Sequence, residues 1–290
     1  MMIFRAGPPG LCLLLGVVRP LYGIFHSPFA MKRTAIALGV LWVIGLMGGC
    51  ASLTPVARQP DPDAEAIVAC LEKTNAGLSR FKGIGEIRIS LPDQSVQVHR
   101  IAIAGEMKDH LRIDLLSPVG GSAVTFSSNG KHVFVIRHTP PVEYHKKRAR
   151  SGIFRRLVGV DIQISDLLAL FLGRIPIESG CTARMTVDDA GDVPSEGVSL
   201  ADRKGRVRQQ VFLDAEGNAE NAVWFDKNGN PVHSLSCSGK YLVDEFVFFR
   251  QFELVTPDKT RLAVKMDRYF PGADMGEDLF SPVPPPKMRN

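Results

Sequence analysis

Five cysteines and seven histidines, with thirty acidic residues, are what this chain of 290 residues has for building a reactive site. Spacing turns few of them into chemistry. His138, Glu143 and His145 are near neighbours, but they flank Pro140-Pro141, and a solvated loop is the better reading than a ligand set. Asp188-Asp189 reads as a turn pair. There is no glycine-rich phosphate loop, no nucleophile elbow, and no histidine pair at ligand spacing with a third ligand. The sequence therefore predicts a protein that is not an enzyme, with no catalytic residue, no metal and no cofactor. Cys70, Cys181 and Cys237 fit no zinc spacing, and three buried, inert thiols are expected in preference to a Cys181–Cys237 disulfide.

One cysteine is different. Cys50 ends the run Leu46-Met47-Gly48-Gly49-Cys50-Ala51-Ser52. Before it, Met31-Lys32-Arg33 is a short positive region and Thr34 to Leu46 an almost uncharged apolar run, too short to read first as a spanning helix. This order resembles the lipobox of bacterial lipoproteins. The resemblance implies that diacylglycerol is attached to the Cys50 thiol, that the leader is cut before it, and that the new amine is acylated. Residues 1–30 add nothing an export signal requires, and Pro8, Pro9, Pro20 and Pro28 oppose one continuous helix, so Met31 is the expected true start. Ala51-Ser52 carries no acidic retention signal, which points to the periplasmic face of the outer membrane.

The net charge of +5 changes meaning once the leader is set aside. Residues 1–49 hold Arg5, Arg19, Lys32 and Arg33 and no acid; subtracting those four charges leaves +1. That is no electrostatic footprint for nucleic acid. The chain beyond Cys50, about 240 residues, is long enough for one large β domain with a core of its own.

The elements come in this order. Residues 50–60 read as a lipidated tether. Asp61-Pro62-Asp63 opens a helix with a cap, Pro at the first position and acids at the positive end of the dipole. Ile67, Cys70, Leu71, Thr74 and Leu78 should form its packed stripe. From Gly83 the period becomes two: Ile87 and Ile89, then Val96 and Val98, then Ile101 and Ile103, with a phase slip at His99-Arg100 that predicts a β-bulge. Leu111, Ile113 and Leu115 make a third strand, and Asn129-Gly130 turns a hairpin between Ser122–Ser128 and Lys131–Arg137. Val133 to Ile136 is apolar on both faces, which requires cover on both sides. Ile153, Phe154, Leu157 and Val158 then recur at helical spacing, and Ser165 is the expected cap of a second short helix, Asp166 to Leu172, ended by Gly173. Seven further strands run from Cys181 to Phe270 through turns such as Asn228-Gly229. The domain is expected over 61–270, with a non-globular, Pro-rich tail over 271–290.

In this order the pieces resemble the LolB family of outer-membrane lipoprotein receptors, within the LolA/LolB-like fold. Leu115-Leu116-Ser117-Pro118-Val119-Gly120-Gly121-Ser122 is similar to the family's strand–loop–strand, whose Pro-Leu-Gly tip offers a leucine to the membrane; Val119 stands where the family has leucine. Leu157 to Gly173 is similar to its helical insert, and Arg261 to Asp267 to its last strand.

The resemblance implies a mainly β fold: an antiparallel incomplete barrel of about 11 strands, with an N-terminal helix and a helical lid insertion. It implies a hydrophobic cavity lined from Ile87, Ile89, Leu111, Ile113, Leu115, Val124 and Phe126, with Leu167 and Phe171 on the lid. Pro118, Val119 and Gly120 become the membrane-inserting loop. The implied partners are lipid or lipoprotein acyl chains, a LolA-like periplasmic carrier, and a membrane reached through the lipid anchor, for a monomer. Each methylene moved from water into such a groove contributes roughly 0.8 kcal/mol, so acyl chains can be held without a polar contact. The basic run Lys146, Lys147, Arg148, Arg150, Arg155 and Arg156 could meet anionic headgroups at about 1 kcal/mol per charge, or be a solvated rim. The rival function is a periplasmic sensor or assembly factor that binds lipid or protein with the same half-barrel.

Overall fold

The computed structural model describes residues 61–150, 152, 154–155, 159–188 and 195–284. The leader, Cys50, the tether and most of the first helix of the insert lie outside these residues.

Helix α1, Pro62–Lys73, starts as the sequence demands: Asp61 accepts from the Asp63 and Ala64 amides, at 3.1 and 3.4 Å. Its buried residues are Ala64 and Leu71, with Ile67 and Val68 packed beside them. That stripe leaves Cys70 exposed, against expectation, one step off the inward face. The helix also ends sooner than expected. Asn75 adopts left-handed backbone (φ 52°), and its side chain is committed elsewhere.

Thirteen strands among the described residues form one sheet. In chain order they are β1 (Arg80–Ser90), β2 (Val96–Glu106), β3 (His110–Leu116), β4 (Ser122–Asn129), β5 (His132–Arg137), β6 (Glu143–Arg148), β7 (Thr182–Asp188), β8 (Ser195–Ala201), β9 (Val207–Leu213), β10 (Ala219–Phe225), β11 (Pro231–Val243), β12 (Phe246–Val255) and β13 (Arg261–Pro271). Every neighbour is antiparallel, and β1 pairs with β13, so the two halves of the meander meet in the middle of the sheet. The outermost strands, β6 and β7, do not pair, which leaves the barrel incomplete. Between them the chain inserts helix α2, Ile164–Phe171. Helix α1 packs against β7 and β8, and α2 against β12 and β2.

Three local expectations change. No register shift interrupts β1–β2. Alternation simply continues, with Gln97 and His99 on the same face as Ile101 and Ile103, and with Val96 and Val98 turned out, 55% and 45% exposed. The bulge sits instead where Ile84–Gly85 of β1 faces β13, and a Cβ on Gly85 would lie 2.3 Å from the Lys265 carbonyl. Strand β6 is the extra one. Its residues, Glu-Tyr-His-Lys-Lys-Arg, carry no alternation; pairing with β5 makes it a strand, and its lysines suit an edge that must resist further pairing. Finally, the N-cap of α2 is Gln163, while the Ser165 hydroxyl donates to Asp166 within the first turn.

The tail is not a loose end. A single 3-10 turn, Glu277–Phe280, docks on the outer face of β3 and β4, with Phe280 only 3% exposed. The Ser127 hydroxyl donates to the Phe280 carbonyl (3.0 Å), the Asn129 amide to the Ser281 hydroxyl (2.8 Å) and the Tyr144 hydroxyl to the Pro282 carbonyl (3.3 Å). On this outer side Phe134 is buried against Tyr144, with Lys146 over its ring at 5.6 Å. The doubly apolar β5 is therefore covered within by the cavity lining, where Val135 joins Phe154, Leu167 and Phe171, and without by Tyr144 and Lys146 of β6, with the tail bonded to Tyr144.

Candidate functional site

The concave face of β1–β5 and β13 encloses a cavity of about 180 Å³ beneath α2. Its floor is buried and aromatic: Phe126 packs on Phe154 (4.7 Å between ring centres), beside Leu167 and Phe171. Phe171 is itself held between Phe81 at 5.8 Å and Phe252 at 5.3 Å, which fixes the lid residue at the base of the cavity. Above the floor the walls come from Ile87, Ile89, Ile113, Leu115, Val124 and Val135, closed on the far side by Leu262 and Val264 of β13. Leu115 and Val124 are half-buried and Gln97 is exposed, so the cavity reaches solvent past the ends of β1, β2, β3 and β4.

Eight of the nine cavity residues named from the sequence line this space: Ile87, Ile89, Ile113, Leu115, Val124, Phe126, Leu167 and Phe171. Leu111 does not. It is 0% exposed and pairs with Gly105, over which Phe81 and Leu168 close so tightly that a Cβ there would lie 2.4 and 2.6 Å from them. That end of the groove is solid core. Six further lining residues are not among those named from the sequence: Val135, Phe154, Leu262 and Val264, which are apolar, and Gln97 and His99, which the apolar Val96 and Val98 beside them mask as the inward set. The strict period of two from Ile101 and Ile103 backwards was the signal that could have found Gln97 and His99.

At the same end as the mouth, β3 and β4 are joined by Ser117-Pro118-Val119-Gly120-Gly121. The Gly120 amide donates to the Ser117 carbonyl (3.0 Å), and the Ser117 hydroxyl donates to the Gly120 carbonyl (2.6 Å). Gly120 and Gly121 take left-handed backbone (φ 88° and 70°) that lets the chain return. Val119 is left 96% exposed at the tip.

Below the loop the hairpin is held by Asp114, whose side chain is 14% exposed. It receives a forked pair from Arg112 (2.7 and 3.1 Å) and hydroxyl bonds from Ser122 (3.0 Å) and Thr125 (2.5 Å). Burial pushes its carboxyl up, but these donors outweigh that and hold it below the ordinary value.

The other sequence candidates do not assemble. His138 lies 2.9 Å from Thr125, while Glu143 engages Arg137 and His145. Among the described residues no cluster of three His, Cys, Asp or Glu could hold a metal ion. Cys181 and Cys237 are free; burial pushes the Cys237 thiol up to about 12, which keeps it protonated and inert. No described helix is long and apolar enough to cross a membrane.

This geometry defines a largely non-polar cavity inside an incomplete antiparallel barrel, with a helix over it and an exposed apolar tip beside the mouth. No family model matches the chain, and no curated protein matches it. Solved structures do. A DUF1329 family protein from Desulfovibrio piger superposes with a TM-score of 0.55 at 11% identity, over 77% of this chain and 97% of that one. A protein domain from Vibrio parahaemolyticus, named for outer membrane lipoprotein sorting, gives 0.54 at 12% identity, over 76% and 96%. A LolA superfamily protein from Nitrosomonas europaea is 10% identical over 75% of this chain and 97% of that one, with a TM-score of 0.49. The first two superpositions show a shared fold and do not single out LolB.

Proposed function

We propose that this chain is a lipid-anchored outer-membrane protein, tethered through Cys50 on the periplasmic face, that binds acyl chains and passes lipoproteins from a LolA-like carrier into the membrane without catalysing a reaction. One observation carries the reading: a cavity walled almost wholly by carbon opens at the same end of the barrel as the Val119 tip. Apolar burial supplies the affinity, roughly 0.8 kcal/mol per methylene, and no reactive group is required. The Vibrio domain's sorting designation supports the same role. A dry cavity of about 150 Å³ holds a benzene-sized ligand, so 180 Å³ takes a short stretch of one chain. The exposed basic edge at Lys146, Lys147 and Arg148 would then face anionic headgroups.

The test is transfer of a labelled lipoprotein from the purified protein to liposomes, with native mass spectrometry of the carrier state. Co-purified lipid and transfer above the spontaneous rate are expected. A lipid-free protein that transfers nothing would replace this reading with that of a protein-binding assembly factor. Radiolabelled palmitate should enter the wild-type chain and not Cys50→Ala.

A further inference from the structure

We infer that Gln97 and His99 are a head-group station: the cavity takes a single acyl chain tail first and holds the carbonyl of its acid or ester at the mouth. The inference rests on the acyl-binding reading and deepens it by naming the end of the ligand that is recognised.

The positions are set by register. In β2, Gln97 pairs with Ile89 and His99 with Ile87, so both polar side chains stand on the inward face beside two cavity residues. Strand β3 stops short of them. Its Leu115 pairs with Ile101, so the part of β2 bearing Gln97 and His99 overhangs β3 at the open end. They are the two polar side chains on a lining that is otherwise aliphatic or aromatic. Among the described residues neither side chain has a hydrogen-bond partner in the protein. A polar group at an apolar mouth costs least when it meets water or a ligand's polar end. An amide N–H and an imidazole N–H both donate, and a carbonyl or carboxylate oxygen accepts from either. A ligand with its tail on Phe126 and Phe171 and its carbonyl at Gln97 and His99 satisfies both ends of the cavity. A hydrocarbon satisfies only one.

The test compares three fluorescent probes of equal chain length: a C16 fatty acid, its methyl ester, and a hydrocarbon without a head. The full chain carries Cys50→Ala throughout, so that no attached lipid competes. Wild type should bind acid and ester about tenfold more tightly than the hydrocarbon, at about three- to tenfold per hydrogen bond. The double variant Gln97→Leu/His99→Leu should close that gap while hydrocarbon binding holds or rises, and His99→Gln, which keeps a donor, should retain part of it. Loss confined to the acid would assign the station to carboxylates; loss for acid and ester alike would assign it to carbonyls generally. Should the double variant misfold, Gln97→Leu alone, at an exposed position, carries the same comparison. A gap unchanged in the variants, or equal weakening of all three probes, overturns the station and leaves acyl binding standing. A wild type that binds none of the probes overturns both.

Discussion

A Cβ placed on Gly173 would lie 2.6 Å from the Asn75 side-chain nitrogen and 2.2 Å from the Val247 carbonyl oxygen. Glycine is thus the residue that lets Asn75 latch the end of the lid helix. The Asn75 amide donates to the Leu172 carbonyl (2.8 Å) and the Val247 carbonyl (2.6 Å), and its oxygen accepts from the Val247 amide (3.0 Å). Arg174 adds bonds to the carbonyls of Asn75 and Leu78. Gly173 also sits at φ 73°, which a side chain resists. Gly173→Ala should cost about 2–4 kcal/mol of stability, read from denaturant melts. A cost near zero would mean the lid is not latched here.

Val119 tests the tip. Because it is 96% exposed, Val119→Glu should leave the melting midpoint and probe binding almost unchanged. A carboxylate opposes entry into the bilayer, so transfer to liposomes should slow. Val119→Leu, which buries more area, should match or exceed wild type. Transfer by Val119→Glu at the wild-type rate would remove the insertion role.

Leu111 and Val124 separate core from cavity. Leu111→Ala opens a hole in packed interior and should cost about 2–5 kcal/mol. Val124→Ala, half-buried on the cavity wall, should cost about 1 kcal/mol or less while weakening acyl-probe binding about fivefold. The reverse pattern would mean that the solid and open parts of the groove had been exchanged.

Asp114 predicts a pH dependence. Its folded-state pKa lies below the ordinary 3.8, since the donors from Arg112, Thr125 and Ser122 outweigh burial. The stabilisation is therefore present above that ordinary value and is lost as pH falls through it toward the lowered one. Asp114→Asn should lose about 1–3 kcal/mol at neutral pH and flatten the acid limb of the stability profile. An unchanged acid limb would locate that sensitivity in other carboxylates.

Phe280 decides whether the tail belongs to the domain. Phe280→Ala, or truncation after Pro271, should lower stability by about 2–4 kcal/mol, because the ring is buried and its carbonyl accepts from Ser127. A non-globular tail would leave the melting midpoint where it was.

The sequence by itself determined most of the elements and which side chains share the inward face. Alternation in β1, β3 and β4 assigns Ile87, Ile89, Ile113, Leu115, Val124 and Phe126 to one face, because a period of two leaves no other choice once that face is apolar. The Pro-Val-Gly-Gly turn likewise comes from backbone chemistry local to those residues. Tertiary structure decided the rest. Leu111 and Leu115 obey the same alternation, yet one is core and the other cavity wall, since only the approach of Phe81 and Leu168 over Gly105 fills one end of the groove. Strand β6 owes its conformation to β5, having no pattern of its own. Phe280 is buried because β3 and β4 present a surface to it from more than 150 residues away in the chain. Gln97 and His99 reach the mouth through their register with Ile89 and Ile87. Local patterns say which way a side chain points; what it points at is set by segments distant in sequence, whose packing no local pattern encodes.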